Sequence, residues 1–309
     1  MKKGFQVLVA IKACKRFVCT SLYLILCFFT VSAQVKLSYN PELGTKYEYL
    51  MDMVQNIKQN VMGQEIPMET KMTITHLMEI KEKTSQEIKV QMTYQSFLFA
   101  VTSPMMKMTY DSKSSATNSS EMDKMMEKMF STMIGKPFII VIEPNGTVKS
   151  VSGMDEIIKN MVGAISADGQ VAAQMGAQMS QQFSDESMKN SFSQTFNVYP
   201  DHAIKVGDTW DKSTTIPMNN MNLSYKSNNT LKEISSNKAT IAVTGDINMD
   251  TGEGKLTGTQ TGSFIADAKT GLPVTSEITQ NMKGTIKAQG MEIQMEMTSK
   301  ATTSAKAVK

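Results

Sequence analysis

The side chains that most often do chemistry are scarce in this 309-residue chain. His76 and His202 are its only histidines, and its three cysteines (Cys14, Cys19, Cys27) all fall within the first 33 residues. Beyond residue 33 there is therefore no thiol for a disulfide, a thiolate metal site or a cysteine nucleophile. Two histidines are too few for a multi-histidine metal centre. His76 lies between Ile74 and Met78 on the apolar side of an alternating segment. That position suits a buried neutral imidazole with one hydrogen bond, or a polar handle in a cavity wall. His202 follows Tyr199-Pro200-Asp201 and reads as an exposed turn residue. No Gly-x-Ser-x-Gly accompanies either histidine, so a hydrolase triad has nothing to build on. Asp250-Thr251-Gly252 matches the core of an aspartic-protease site, but that chemistry needs two aspartates sharing a proton, and the triplet occurs once. A hairpin turn is the reading that fits. No P-loop or dinucleotide fingerprint is present. The expectation is a protein that is not an enzyme, with no catalytic residue, no metal site and no cofactor.

Methionine is the unusual residue: 28 in all, every one but Met1 after residue 33. Thioethers are flexible and polarizable, so they fill irregular gaps and adapt to varied apolar partners. Three readings follow. They replace leucine in an ordinary core, they line a deformable cavity for a lipid-like ligand, or Met122, Met125, Met126 and Met129 present sulfurs to Cu(I) from one helix face.

Charge narrows the partners. Five of the 32 basic residues and none of the 29 acidic ones lie in residues 1–33, so the remainder is slightly acidic, and Arg16 is the only arginine. A chain without guanidinium groups after that point is poorly equipped for nucleic acid.

The elements that must position these residues are mostly strands. From Ile66 to Ile80 apolar side chains alternate with polar ones, and Met291, Ile293, Met295 and Met297 do the same against Glu292, Gln294 and Glu296. Such period-2 alternation marks strands with one buried face. Further strands are expected over Tyr47–Val61, Ile88–Val101, Met106–Tyr110, Phe138–Ile142, Met221–Leu231, Ala239–Met249, Leu256–Ala266 and Val274–Ala288. Several exceed the usual length, which suggests a curved antiparallel sheet. The middle, about residues 121–196, is helical instead. Met122, Met125, Met126, Met129, Phe130 and Met133 form one apolar stripe behind Ser120 as N-cap; Met154, Ile157, Ile158, Met161, Val162 and Ile165 form a second. A third runs through Val171, Met175, Met179 and Phe183 and continues past Met188, Phe192 and Phe196 to Pro200. In Val206-Gly207-Asp208-Thr209-Trp210, a glycine turn feeds the sole tryptophan into a strand, as a structural anchor or as a rim aromatic over a ligand mouth.

Lys2, Lys3, Lys12, Lys15 and Arg16 precede the apolar run Phe17–Val31, and small residues follow at Val31-Ser32-Ala33. This reads as a secretory signal peptide, residues 1–33, with an uncleaved anchor as the alternative. At 15 residues the run is short for a span. Leu26 before Cys27 is too bulky for a lipid-attachment box. No later stretch is apolar enough to span a membrane as a helix. Residues 34–309 are then expected as one exported domain, periplasmic or extracellular.

Leu43-Gly44-Thr45-Lys46-Tyr47, Ile142-Glu143-Pro144-Asn145-Gly146 with Ser152-Gly153-Met154, Val206-Gly207-Asp208-Thr209-Trp210, and Phe264, Asp267 and Thr270-Gly271-Leu272 together resemble an uncharacterised family of secreted proteins from Bacteroidota. The resemblance implies a location and no activity. The order of elements is also similar to that of the LolA-like periplasmic lipoprotein carriers, in which helices cap a curved antiparallel sheet over an apolar cavity.

The expected fold is α+β and β-dominant, a long-stranded curved antiparallel sheet with amphipathic helices on its apolar face. The expected function is non-enzymatic binding of an apolar or lipid-like ligand in a Met-lined interior. The residues expected to line it are Met72, Ile74, His76, Met78, Met126, Phe130, Met161, Ile293 and Met295. The alternative is a structural or interaction protein of the cell envelope with a solid core; Cu(I) binding stands third.

Overall fold

Twelve strands, all antiparallel, form one sheet in this computed structural model, which describes residues 34–308 except 115–119, 166–173, 175, 178, 181–182, 219–220 and 289–290. Residues 1–33, expected as a signal peptide, and Val171 and Met175 of the third stripe, lie outside the described residues. The strands are β1 (Lys46–Val61), β2 (Gln64–Lys83), β3 (Ile88–Thr102), β4 (Lys107–Asp111), β5 (Pro137–Ile142), β6 (Val148–Ser152), β7 (Thr209–Met218), β8 (Met221–Ser235), β9 (Lys238–Asp250), β10 (Gly254–Asp267), β11 (Pro273–Ala288) and β12 (Met291–Val308). Their order in the sheet is β6-β5-β3-β2-β1-β12-β11-β10-β9-β8-β7, with β4 beside the outer half of β3. The first and last strands of the chain's β-rich ends, β1 and β12, pair over sixteen positions at the centre. The sheet is therefore a single surface built from both halves of the sequence, open between β6 and β7.

Three helices in the middle of the chain have both ends among the described residues: α1 (Glu121–Ser131), α2 (Met154–Ile165) and α3 (Asp185–Phe196). Ser120 caps α1, its side chain accepting a hydrogen bond from the Asp123 N–H, and Ser184 caps α3 in the same way through Ser187. The second cap explains why the continuous third stripe is not one helix: Ser184 offers a local partner to the first free N–H groups and starts a new one. None of the described helices is long and apolar enough to cross a membrane.

Packing divides the interior into three clusters. The largest joins β2, β3, β5 and β6 to the helices through Met78, Met92, Phe138, Ile140, Met129 and Met161. A second, around Tyr199, Trp210, Leu231 and Ile241, ties the connection after α3 to β7, β8 and β9. A third contains residues of the sheet alone, with Ile247, Leu256 and Met282 at its centre. All lie within residues 35–309, which form one compact unit. Helix α3 packs on both β6 and β7, the two open edges, and so straps the curled sheet at this end. Here Trp210 donates its Nε1–H to the Val198 carbonyl at 2.8 Å and is almost wholly buried, an anchor rather than a rim residue.

The sheet curls because glycines let neighbouring strands coil closely. A Cβ on Gly258 would stand 1.9 Å from the Asn281 carbonyl oxygen, and one on Gly284 would stand 2.0 Å from that of Lys255. Neither site admits a side chain without moving backbone.

Candidate functional site

Register, followed strand by strand, places the side chains of one face in rows that run across the sheet. One row is polar throughout except for a glycine: Thr70, Gln55, Ser299, Gln280, Gln260, Gly245, Ser227 and Lys212, each directly opposite the next from β2 through β1, β12, β11, β10, β9 and β8 to β7. On the side towards the helices the same face is apolar and covered. On the other side it is apolar again, and the third cluster lies there. In that distal band Met68, Ile57, Met297 and Met282 stand in one row, and Ile66, Met295, Leu256, Met249 and Leu223 belong to the next.

The distal band forms a trough. Ile247, Leu256 and Met282 are at most 4% exposed, although their cluster contains only sheet residues. Among the described residues only sheet side chains pack around them, and α3, which joins both edge strands, lies on this same face, so the sheet curls towards it. Around these three, Leu223, Tyr225, Met249, Ile286, Met295 and Met297 are half-buried. The convex face is polar and carries ion pairs, among them Lys300–Glu277 and Lys71–Glu69, both at 3.0 Å. Apolar inside and charged outside is the reverse of a membrane-spanning barrel, whose lipid-facing side is outermost.

In the polar row Gln260 and Ser299 are buried. Gln55 donates an amide N–H to the Met297 sulfur at 2.8 Å, and the Lys212 ammonium donates to Asn197 Oδ1 at 3.0 Å. These amides and hydroxyls bring hydrogen-bonding capacity to the end of an otherwise apolar band.

The residues expected to share one interior are divided by the fold. Ile74, His76, Met78, Met126 and Met161 are buried in the helix-covered core, with Met72 and Phe130 half-buried against it. Beside Met78, among Tyr49, Met92, Phe192 and Phe196, the void in that core is about 10 Å³, about the least that could hold one water. Ile293 and Met295 lie instead in the distal trough, half-buried. The residues not anticipated, Ile57, Met68, Met249, Leu256 and Met282, belong to strands that were expected; their alignment into one band depends on register.

His76 departs from the single hydrogen bond expected of it. Neither ring nitrogen has a hydrogen-bond partner among the described residues. Its ring lies 4.5 Å from that of Tyr94 and 6.0 Å from that of Phe138, centroid to centroid. Burial pushes its pKa down to about 4, so the imidazole is neutral near neutral pH. His202 is exposed in a turn. Asp250-Thr251-Gly252 is the expected hairpin turn, with Asp250 accepting from the Gly252 N–H at 2.9 Å. On α1, Met126 and Met129 point into the core while Met122 is 40% exposed, so the four sulfurs considered for copper are split between interior and surface.

At the opposite end of the sheet a groove of about 590 Å³ of mixed polarity is lined by Lys36, Leu37, Glu143, Pro144, Lys149 and Pro200 among others. Its Lys149 is already paired with Glu87. Among the described residues, no three histidine or carboxylate side chains gather as a metal site would require.

Residues 85–273 match the model of a family of unknown function, DUF6263. No curated protein matches the sequence. Among solved structures, lipovitellin, from a study of its lipid–protein interactions, aligns at 7% identity over 84% of this chain and 25% of its own, with a TM-score of 0.42. The chain thus spans about a quarter of that protein's length. An outer membrane channel from Pseudomonas putida F1 aligns at 5% identity over 86% of this chain and 97% of its own, TM-score 0.23. The β domain of the Bordetella autotransporter BrkA aligns at 8% identity over 84% and 98%, TM-score 0.26. At these scores the likeness carries no argument about function.

Proposed function

The chain belongs to the DUF6263 family, whose function is unknown, and from that premise we propose that it is an exported, non-enzymatic protein that holds an apolar or lipid-like ligand. The observation that carries the proposal is the distal trough: a concave apolar band, half-exposed at its flanks, on a sheet whose other face is charged. The ligand's seat is this trough and not the filled space beneath the helices. From Gln55 to Val61 the band is about 20 Å long at the rise of a strand, room for an extended acyl chain. The polar row at its inner end suits one hydrogen-bonding group on the ligand. Methionine suits the lining because its side chain re-packs around chains of different length at little strain.

Export is supported by the basic and apolar pattern of residues 1–33. The direct test is mass spectrometry of an organic extract of the purified protein, paired with titration of a fluorescent fatty-acid analogue. A bound lipid and saturable binding are expected, with Met295→Asp weakening the affinity about ten-fold or more by placing a charge in the band. An empty extract with no saturable binding would overturn the proposal. The filled core under the helices favours a second reading, an envelope interaction protein without a ligand. That reading predicts a crosslinked protein partner and the same empty extract.

A further inference from the structure

The trough ends at a rim of hairpin tips, and the rim carries exposed methionine. Val61 pairs with Ile293, Ile293 with Ile286 and Ile286 with Gly254, so the β1–β2, β11–β12 and β9–β10 tips reach the same level. Met62, at the β1–β2 tip, is 88% exposed, and Met291, at the start of β12 beside it, is 38% exposed. One hairpin further along, Met105 at the β3–β4 tip is 80% exposed and Met106 is 41% exposed. This tip is set back, because Thr102 pairs with Glu69 and not with Gln64.

Met62 is a poor choice for its position on two separate grounds. It is nearly free in water, and its backbone is left-handed, with φ of 52° followed by 83° at Gly63. Two positive φ values in a two-residue hairpin define a turn that favours Asn-Gly or Asp-Gly, because a longer side chain crowds its own carbonyl there. At the other end of the sheet, the β8–β9 hairpin uses Ser236-Asn237 for two positive φ values. Neither exposure nor turn geometry accounts for a thioether at the distal tip.

We propose that this methionine rim docks on the surface of a lipid bilayer and that the ligand passes between bilayer and trough across it. Separate flexible side chains on protruding tips suit a soft apolar medium, where each sinks in by itself, better than a rigid protein pocket. The convex charges behind the rim are balanced, with Lys58 paired to Glu65 at 3.5 Å and Lys71 to Glu69 at 3.0 Å. Insertion, rather than attraction to anionic headgroups, therefore holds the contact, and a zwitterionic surface suffices. The apolar lining is continuous from Met295 through Ile293 to Met291. A lipid leaving the bilayer presents its polar end first. That end would travel the trough to the Gln55–Gln260 row while the chain trails along the apolar band. Only this passage rests on the trough as a ligand seat; the docking itself does not.

The experiment is flotation of the chain from Gln34 onward, which contains all three cores, with phosphatidylcholine–phosphatidylethanolamine vesicles. The unaltered protein should float with the vesicles. Met62→Asn with Met105→Ser should lower partitioning onto the vesicles by about ten-fold for each side chain removed, with circular dichroism unchanged. Leu43→Ser is the control: it removes an exposed apolar residue from the loop before β1, at the far end of the sheet, and should leave flotation unaltered. Failure of the unaltered protein to float, equal flotation of the double variant, or self-association abolished by Met62→Asn without any flotation would each overturn the docking. A protein that carries lipid in its extract yet does not float keeps the trough and loses the rim. One that floats and carries no lipid does the opposite.

Discussion

Acid should weaken this fold through His76. Its pKa falls from an ordinary 6.5 to about 4 in the folded chain, because burial disfavours the charged imidazolium and none of the described residues offers it a hydrogen bond. Between those two values the unfolded chain takes up a proton that the folded chain refuses. Stability is therefore fully present above pH 6.5, declines as pH falls, and has lost this contribution once pH passes below about 4. At ~1.4 kcal/mol per pH unit the loss comes to roughly 3 kcal/mol. His76→Leu fills a similar space without a titrating group. Urea denaturation of both proteins at about pH 7.5 and about pH 4 isolates the effect, since carboxylate titration is common to the two and cancels in the difference. The variant should gain roughly 3 kcal/mol over the parent on acidification. It should also be at least as stable at the higher pH, because two unpartnered buried nitrogens are removed. Parallel pH dependence would refute the reasoning, and would mean that His76 reaches solvent or a hydrogen-bond partner in the folded chain.

Other substitutions probe the frame around the trough. Gly258→Val should lower stability by about 3 kcal/mol or more, since its Cβ would meet the Asn281 carbonyl 1.9 Å away; thermal unfolding by circular dichroism reads this directly. Met62→Asn should raise stability by about 1 kcal/mol by relieving the left-handed backbone, and an unchanged melting temperature would contradict the strain assigned to that turn. Trp210→Phe removes the bond to Val198 and should cost about 1 kcal/mol, with faster hydrogen exchange confined to β7 and α3. Ser120→Ala should destabilise by about 1 kcal/mol through loss of the α1 cap, while Ser120→Asp retains it.

Alternation of apolar and polar residues made most strands legible in the sequence, because a period of two reports that one face is buried whatever the neighbouring strand is. The two helical stripes over Glu121–Ser131 and Met154–Ile165 were legible for the same reason at a period near 3.6. The edge strands β6 and β7 were harder to read. In β6 the buried Val148 and Val151 stand three apart across a bulge, which breaks the period of two, and Thr209–Met218 is mostly hydroxyl and charged residues. The sequence also placed methionine in the interior but had no means of dividing it. Met72, Ile74 and Met78 share one strand face with Met68 and Ile66, yet helices cover the first group and not the second. Cross-strand register decided the rest. It set Gln55, Ser299, Gln280 and Gln260 in one line across strands far apart in the chain, and so separated a filled core from an open trough. Local periodicity fixes which way a side chain faces; only the folded sheet fixes what it stands beside.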